Sequence, residues 1–393
     1  MNLRPIVAGS VVFGFTVLAL GACTEPVELA DWTLPVPEGT RLIEHEVLPL
    51  EERSDPAVRF EEDLVLGEQG VDADLTFYGL PYFAVGDDGR VYALDMGNHR
   101  VLVFGPAGRH LMTLGRQGQG PGEFQLGSIG SIEVTENRIR VDDRGNNRLS
   151  IWTLDGDFLE ARSTPIGAQF RVHFFQGLPN GTRVAFVTVL HDDGSQSKVA
   201  TIVDDDTEEV RRLGEHRDFG GLPSKRHDYE LSIFAPSLRF ATARDGRIYL
   251  EDGTHYQILA LRPTGEPEWA MRAVYQPKPY PEEYKERIVD LRRQNPRVSD
   301  LQVSDFDWPE RAPALRGVLV DGHGHLYVIP LTFPLSRDEF PVDVFSQEGE
   351  LLYSGTMRGG WWSAALGDHV YGTRENETGD YVIARYRIVE PFE

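Results

Sequence analysis

Short apolar runs, each opened by a turn, recur along this chain. The clearest reads Asp88-Gly89-Arg90-Val91-Tyr92-Ala93-Leu94, and the same phrase returns near residues 137–141, 181–186, 245–250, 323–328 and 368–371. Four to six β-branched and aromatic residues between Gly and Asp turns predict strands. The first apolar residues of the six copies, Val91, Ile139, Val184, Ile248, Leu326 and Val370, lie 48, 45, 64, 78 and 44 residues apart. The base period is about 45 residues, interrupted by two insertions.

In the two best copies a second strand follows at Asn98-His99-Arg100-Val101-Leu102-Val103-Phe104 and at Asn147-Arg148-Leu149-Ser150-Ile151-Trp152. A Gly turn then leads to a third run, residues 111–114 and 158–160, and an apolar run such as Phe83-Ala84-Val85 precedes each phrase. Each unit is therefore predicted to be four short antiparallel strands, a sheet that buries its faces only against its neighbours. These phrases, with the connection Gly115-Arg116-Gln117-Gly118-Gln119-Gly120-Pro121-Gly122-Glu123-Phe124, resemble the NHL-repeat-like six-bladed β-propellers, which include secreted and lipoprotein members of bacteria. The resemblance spans most of residues 82–387 and implies an all-β, six-bladed propeller of four-stranded antiparallel blades. It implies no function.

The last blade has three visible strands, with four residues left after the third, so its fourth is expected from residues 58–66, and the propeller from 58–393. The insertions are the departures from the repeat. One holds the polar loop 215–236. The other, within 276–314, holds residues 281–295, where Tyr284, Ile288 and Leu291 at i, i+4, i+7 predict an amphipathic helix with acids in its first turn and bases in its last. That helix is expected either as a lid over the channel mouth or as a decoration on the propeller's flank.

The start of the chain reads differently. Arg4 is the one charge in the first 22 residues, an apolar run covers 5–20, and Leu20-Gly21-Ala22-Cys23 follows. This resembles the lipobox of bacterial lipoproteins and implies a signal peptide at 1–22 with lipidation of Cys23, the only Cys in the protein. Thr24 after it resembles the sorting pattern for the outer membrane. The expected location is the bacterial cell envelope, lipid-anchored at the outer membrane and facing the periplasm or the cell surface. Residues 23–57, with Pro26, Pro35, Pro37, Pro49, Pro56 and many acids, read as a tether with at most a short strand at 41–48.

Composition narrows the chemistry. Lys and Arg number 39 against 62 Asp and Glu, a net charge of −23, which argues against nucleic-acid binding through a basic surface. A single Cys excludes disulfide frameworks, thiolate zinc sites and iron–sulfur clusters within one chain. Searches for a Gly-x-Ser-x-Gly elbow, a His-Glu-x-x-His pair, a phosphate-binding Gly-x-x-x-x-Gly-Lys and an EF-hand loop all fail. His323 and His325 sit in a repeat turn and read as turn residues, so no metal ligands are assigned.

The candidate site is the channel mouth, where the innermost strands begin. Counting back from the anchors reaches Tyr82, Gly130, Arg239, Arg316 and Trp361, with Arg171 or His173 the equivalent in blade three. Three Arg-bearing blade starts in so acidic a protein suggest an anionic ligand held by guanidinium forks, with aromatic walls at Tyr82, Trp361 and Trp362. The function expected is therefore a ligand- or protein-binding module, without a cofactor. The alternative is a metal-dependent hydrolase or lyase like the lactonase-type and amidating-lyase-type members among six-bladed propellers, for which calcium or zinc would be needed at axial carboxylate, amide or imidazole groups.

Overall fold

Four of the repeat phrases open on a turn that needs a residue with positive φ, and Gly supplies it. Gly89, Gly181, Gly246 and Gly324 have φ of 78°, 86°, 87° and 87°, and each donates its N–H three residues back, Gly89 to the Gly86 carbonyl at 3.0 Å. In the computed structural model the chain is described over residues 34–393, apart from 54–56, 69–72, 126–129, 136, 164–169, 191–195, 205–209, 219–221, 227–229, 232, 234–235, 276, 337–338, 359–361 and 390–393. Cys23 and Trp361 fall outside the described residues, and at Arg171 and His173 only the backbone is described.

Six blades surround a common axis, a six-bladed β-propeller whose last two blades are joined into one eight-stranded sheet. Their innermost strands are Tyr82–Val85, Ile132–Val134, Phe170–Gly177, Arg239–Thr242, Leu315–Val320 and Ala364–Leu366, each antiparallel to the strand that follows it. The second strands carry the core. Val91–Asp95 and Leu326–Pro330 are buried throughout, because neighbouring blades cover both faces, and so they read as continuous apolar runs. Between blades one and two, Tyr92, Leu94 and Val101 pack with Phe124, Ile139, Val141 and Trp152. Burial of side chains of this size stabilises by about 1.5–3 kcal/mol each.

The Asn-x-Arg phrase has a structural cause. At the end of the second strand Asp95, almost fully buried, accepts from the Tyr78 N–H at 3.0 Å, Asn98 Nδ2 at 2.8 Å and Arg100 Nε at 3.0 Å. Asp143 repeats the arrangement with the Gln125 N–H, Asn146 Nδ2 and Arg148 Nε. The loop between turns through a left-handed residue, His99 or Asn147. A buried carboxylate is stable only when its lone pairs are filled, and this phrase fills them.

The last blade is completed from the other end of the propeller. Strand Val58–Leu66 runs antiparallel to Tyr381–Val389, from Arg59↔Val389 to Leu66↔Ile383, and its first two residues also pair with Met357 and Arg358 of blade five. Exposed charges fasten it: Arg385 Nε donates to Asp63 at 2.8 Å, His369 lies 3.1 Å from the same carboxylate, and Arg374 reaches Glu62 at 2.8 Å.

Two expectations need correction. The segment read as a tether carries the short strand expected of it, at Arg41–His45, but it is also pinned to the propeller at separate points from Leu34 onward. Leu34 is buried, its N–H donating to Asp252 Oδ2 at 2.6 Å, and Arg41–His45 adds a parallel fifth strand to blade four beside Pro267–Ala273. Arg53 ends the segment in a buried pair, Nη2 3.0 Å from Asp343 Oδ2, and Tyr256 donates to that oxygen at 2.6 Å. Prolines had masked a belt whose affinity for the propeller lies in partners 200 to 300 residues away. Helix Glu282–Arg293 forms with Tyr284 buried and Ile288 partly buried, as expected, but Leu291 is 54% exposed while Val289 is fully buried. The buried face extends to Val289 because the other insertion covers it: Val289 packs with Leu222, Leu231, Leu301 and Phe306. Arg226 binds Asp305 and Lys225 binds Asp307 across the same contact.

Burial alone would raise the Asp63 pKa, but the hydrogen bond and charge of Arg385, with His369 beside them, outweigh it and hold the group below its ordinary 3.8. The stability this adds is complete above that value and is lost as pH falls through the lower folded value. Asp63→Asn is therefore expected to lower the midpoint of urea unfolding at pH 7 and to flatten the acid limb of the stability curve below about pH 4. An unchanged acid limb would mean that the closing strand is held without this carboxylate.

Candidate functional site

Three of the innermost strands, Tyr82–Val85, Arg239–Thr242 and Ala364–Leu366, are intermediate at every position, because they border a space instead of another sheet, while Ile132–Val134 and Leu315–Val320 are largely buried. The space is a cavity of about 770 Å³, walled by residues of all six blades, among them Tyr82, Glu133, Gln176, Arg239, Gly317 and Trp362. Its volume is in the range of small-molecule sites.

Arg239 stands at the start of its strand, on the cavity wall, and Nη1 donates to Glu251 Oε1 on the neighbouring strand at 3.0 Å. Glu251 is completely buried. Burial raises its pKa above the ordinary 4.5, against the pull of the Arg239 charge and hydrogen bond. The guanidinium is therefore fixed from behind by an acid that solvent does not reach. A planar cation held in this way has little rotamer freedom left to lose.

The other end of the same wall carries Arg244, which the sequence reading missed. From blade four its guanidinium reaches the Ala365 carbonyl of blade six at 3.1 Å, and the Val85 carbonyl at 3.4 Å and the Asp87 carboxylate of blade one. It bridges the cavity's turn-side end, and burial lowers its pKa. The signal was present: Arg244 precedes the turn Asp245-Gly246, where the other copies carry no Arg. Glu133, also missed, lines the cavity almost fully buried, 3.2 Å from Arg140 Nη1.

Of the expected site residues, Tyr82 and Arg239 line the cavity together. Arg316 does not. The strand pairing slips between Leu315 and Gly317, so Gly317 takes the cavity position, while Arg316 donates to the Ser336 carbonyl at 2.8 Å and stacks 4.9 Å from the Phe340 ring centre. A one-residue bulge turns a side chain to the other face. Trp361 lies outside the described residues, as do the side chains of Arg171 and His173. Trp362 borders the cavity, but its indole N–H is spent on the Val320 carbonyl at 3.1 Å and its ring is buried against Tyr327 and Phe60.

His325 Nδ1 lies 2.9 Å from the buried Asp321, which also takes the backbone N–H of His323 and of His325, and His323 Nε2 lies 2.6 Å from Asp368. Among the described residues no group of three or more His, Cys, Asp or Glu is placed to hold a metal ion. The Gly-rich connection is internally bonded, with Arg148 donating to the Gly120 and Glu123 carbonyls and Asn146 to that of Gly118. No described residue of the two insertions borders the cavity, so the expected lid does not form a wall of it.

A family model described as a 6-bladed beta-propeller matches residues 85–221. No curated protein matches the chain. Solved structures similar to it include a protein described as exported from Bacteroides fragilis, 12% identical over 89% of this chain and 99% of that one, with a TM-score of 0.49. A catalytically inactive virginiamycin B lyase from Staphylococcus aureus, crystallised with quinupristin, is 9% identical over 84% and 100%, with a TM-score of 0.38. A gluconolactonase from Xanthomonas campestris is 13% identical over 86% and 100%, with a TM-score of 0.40. No residue role follows from similarity at this level.

Arg239→Ala is expected to cost about 3–5 kcal/mol at pH 8, since it strands Glu251 without its cation. The deficit shrinks as pH falls, because the raised carboxyl takes its proton above the ordinary 4.5. Adding Glu251→Gln restores most of the loss. Urea unfolding at pH 8 and pH 5 measures this, and a deficit independent of pH would show that the pair does not hold the Arg in place.

Proposed function

We propose that this chain is a lipid-anchored binding propeller of the bacterial cell envelope that takes a small anionic ligand into its axial cavity. The observation that carries the reading is Arg239, held on a buried acid at 3.0 Å and bordering a cavity of about 770 Å³. A carboxylate or phosphate suits a guanidinium on the wall of such a cavity, and the half-buried Tyr82 on the same wall offers flat apolar surface. Arg244 across the far end leaves the strand-start end as the side of entry. The lipid on Cys23 supplies the anchor, and the membrane is then a partner through that lipid alone.

The test is calorimetric titration of the purified soluble chain from residue 24 with dicarboxylates and sugar phosphates. One ligand is expected to bind saturably. The double variant Arg239→Ala, Glu251→Gln, which keeps the fold, weakens it at least about tenfold, as loss of a charged hydrogen bond should. Arg316→Ala, off the cavity, leaves it unchanged. Equal binding by the double variant would remove Arg239 from the site. Stoichiometric calcium or zinc in the purified protein would favour the metal-dependent hydrolase or lyase instead, and silence from anions and metals would favour a protein partner.

The anchor has its own test. Cys23→Ala in the full chain is expected to move the protein from the membrane fraction to the soluble one and to remove the lipid mass from its N-terminal peptide. Retention in the membrane without that mass would mean that the segment is an uncleaved anchor.

A further inference from the structure

The belt joins the propeller at one particular end. Leu34 is buried, its N–H donating to Asp252 Oδ2 and its carbonyl accepting from Gln257 Nε2. These two residues bracket the loop between strands Ile248–Glu251 and Gln257–Leu261 of blade four. Glu251, which ends the first of those strands, is the register partner of Arg239, which starts the innermost one. Leu34 therefore sits at the strand-start end of the blade, the end of the axial cavity that Arg244 does not bridge.

Ten residues, 24–33, separate Leu34 from Cys23. Fully extended, that length reaches about 40 Å at most. A link this short brings what it joins to an effective concentration on the order of millimolar. A bilayer that holds a lipid on Cys23 is thereby delivered to the strand-start face, whereas the opposite face meets it only after the link has passed the body of the blade.

The strand-start face carries exposed apolar side chains. Tyr78 and Leu80, just before the innermost strand of blade one, are 75% and 43% exposed, and Val274, just after the last strand of blade four, is 83% exposed. The Ala273 N–H donates to the Tyr256 carbonyl, so Val274 stands beside the same loop that receives Leu34. Tyr78 is held in place: its N–H donates to Asp95, and its ring lies so close over Gly97 that a Cβ there would come within 2.1 Å of it. By contrast Leu111, Leu159, Val210 and Leu352 are exposed one to a blade on outermost strands, spread around the propeller. The insertion 276–314, which joins blades four and five at the strand-start end, holds seven Lys and Arg against eight Asp and Glu, so the acidity of the chain is not concentrated there.

We propose that the strand-start face docks on the surface of the bilayer that holds the Cys23 lipid, with Tyr78, Leu80 and Val274 at the level of the headgroups. Tyr suits that level, with an apolar ring and a polar hydroxyl. Three such side chains bind a bilayer weakly by themselves, and a tethered face needs no more. Docking presupposes the lipid anchor proposed above and is independent of Arg239. Its consequence for the axial cavity is one of route, since a ligand then enters from the gap between protein and bilayer.

The chain from Cys23, coupled through that thiol to a maleimide lipid in phosphatidylcholine vesicles, tests docking without relying on lipidation in the cell. Amide hydrogen exchange is compared with that of the same chain left uncoupled. Exchange over 76–81 and 274–275 is expected to slow roughly tenfold on coupling, as a face covered about nine-tenths of the time gives, while the turns at 86–90 and 321–325, at the opposite end, keep their rates. In the double variant Tyr78→Ser, Val274→Ser, compared coupled and uncoupled in the same way, most of the slowing is expected to vanish. Unchanged exchange over 76–81, equal slowing at both ends, or slowing indifferent to the double substitution would overturn the proposal. Fractionation of Cys23→Ala in cells reads the anchor and the exchange reads the face, so the two fail separately.

Discussion

A ring of sheets holds only if it is closed, and here the closure is one strand. Val58–Leu66 completes the last blade and touches blade five by its first two residues. An open blade would leave a row of unpaired N–H and C=O groups and would loosen the packing of every neighbour. The belt before it is what aims that strand. Arg53, five residues upstream, is sunk against Asp343, and Arg41–His45 lies along blade four. The buried ion pair adds little to stability by itself, since desolvation offsets most of its attraction. Its effect is on register, because a guanidinium that fits one buried carboxylate fixes where the next strand must begin.

The same logic recurs at each functional place in the molecule: a cation set by an acid behind it. Asp95 sets Arg100 and Asp143 sets Arg148, which then hold loops. Glu251 sets Arg239 at the cavity wall. The family of contacts differs only in what lies in front of the cation. Before Arg148 there are loop carbonyls, so the arrangement is structural. Arg239 instead stands on the wall of the axial cavity.

The repeat was legible because turn chemistry and strand period both act over a few residues. Gly89, Gly246 and Gly324 mark turns that any L side chain would strain, and the runs after them are apolar because both faces are covered. The closing strand was legible for a different reason, a deficit in the last blade. What local pattern could not reveal was long-range partnership. Leu34 and Arg53 meet Asp252 and Asp343, some 218 and 290 positions away, and nothing in a proline-rich acidic stretch announces that. The helix face was misassigned at Leu291 because periodicity states that a face exists, while Val289 is buried by an insertion whose docking is not local. At Arg316 one bulge sufficed: the residue type was read correctly, and its direction was not.

A net charge of −23 does not forbid an anion at the axis. At physiological ionic strength exposed charges are screened beyond roughly 8 Å, so an entering ligand responds to the groups lining the cavity and little to the acidic outer surface. The carboxylates near the cavity are engaged: Glu133 by Arg140, Asp87 by Arg244, and Asp321 by two backbone N–H groups and His325. Arg239 is engaged as well, by a buried partner, and it is a cation on the cavity wall. The exterior charge then acts on approach more than on affinity. It slows anions at low salt and ceases to matter as salt rises, so the salt dependence of association should oppose the sign expected of a basic, steering surface.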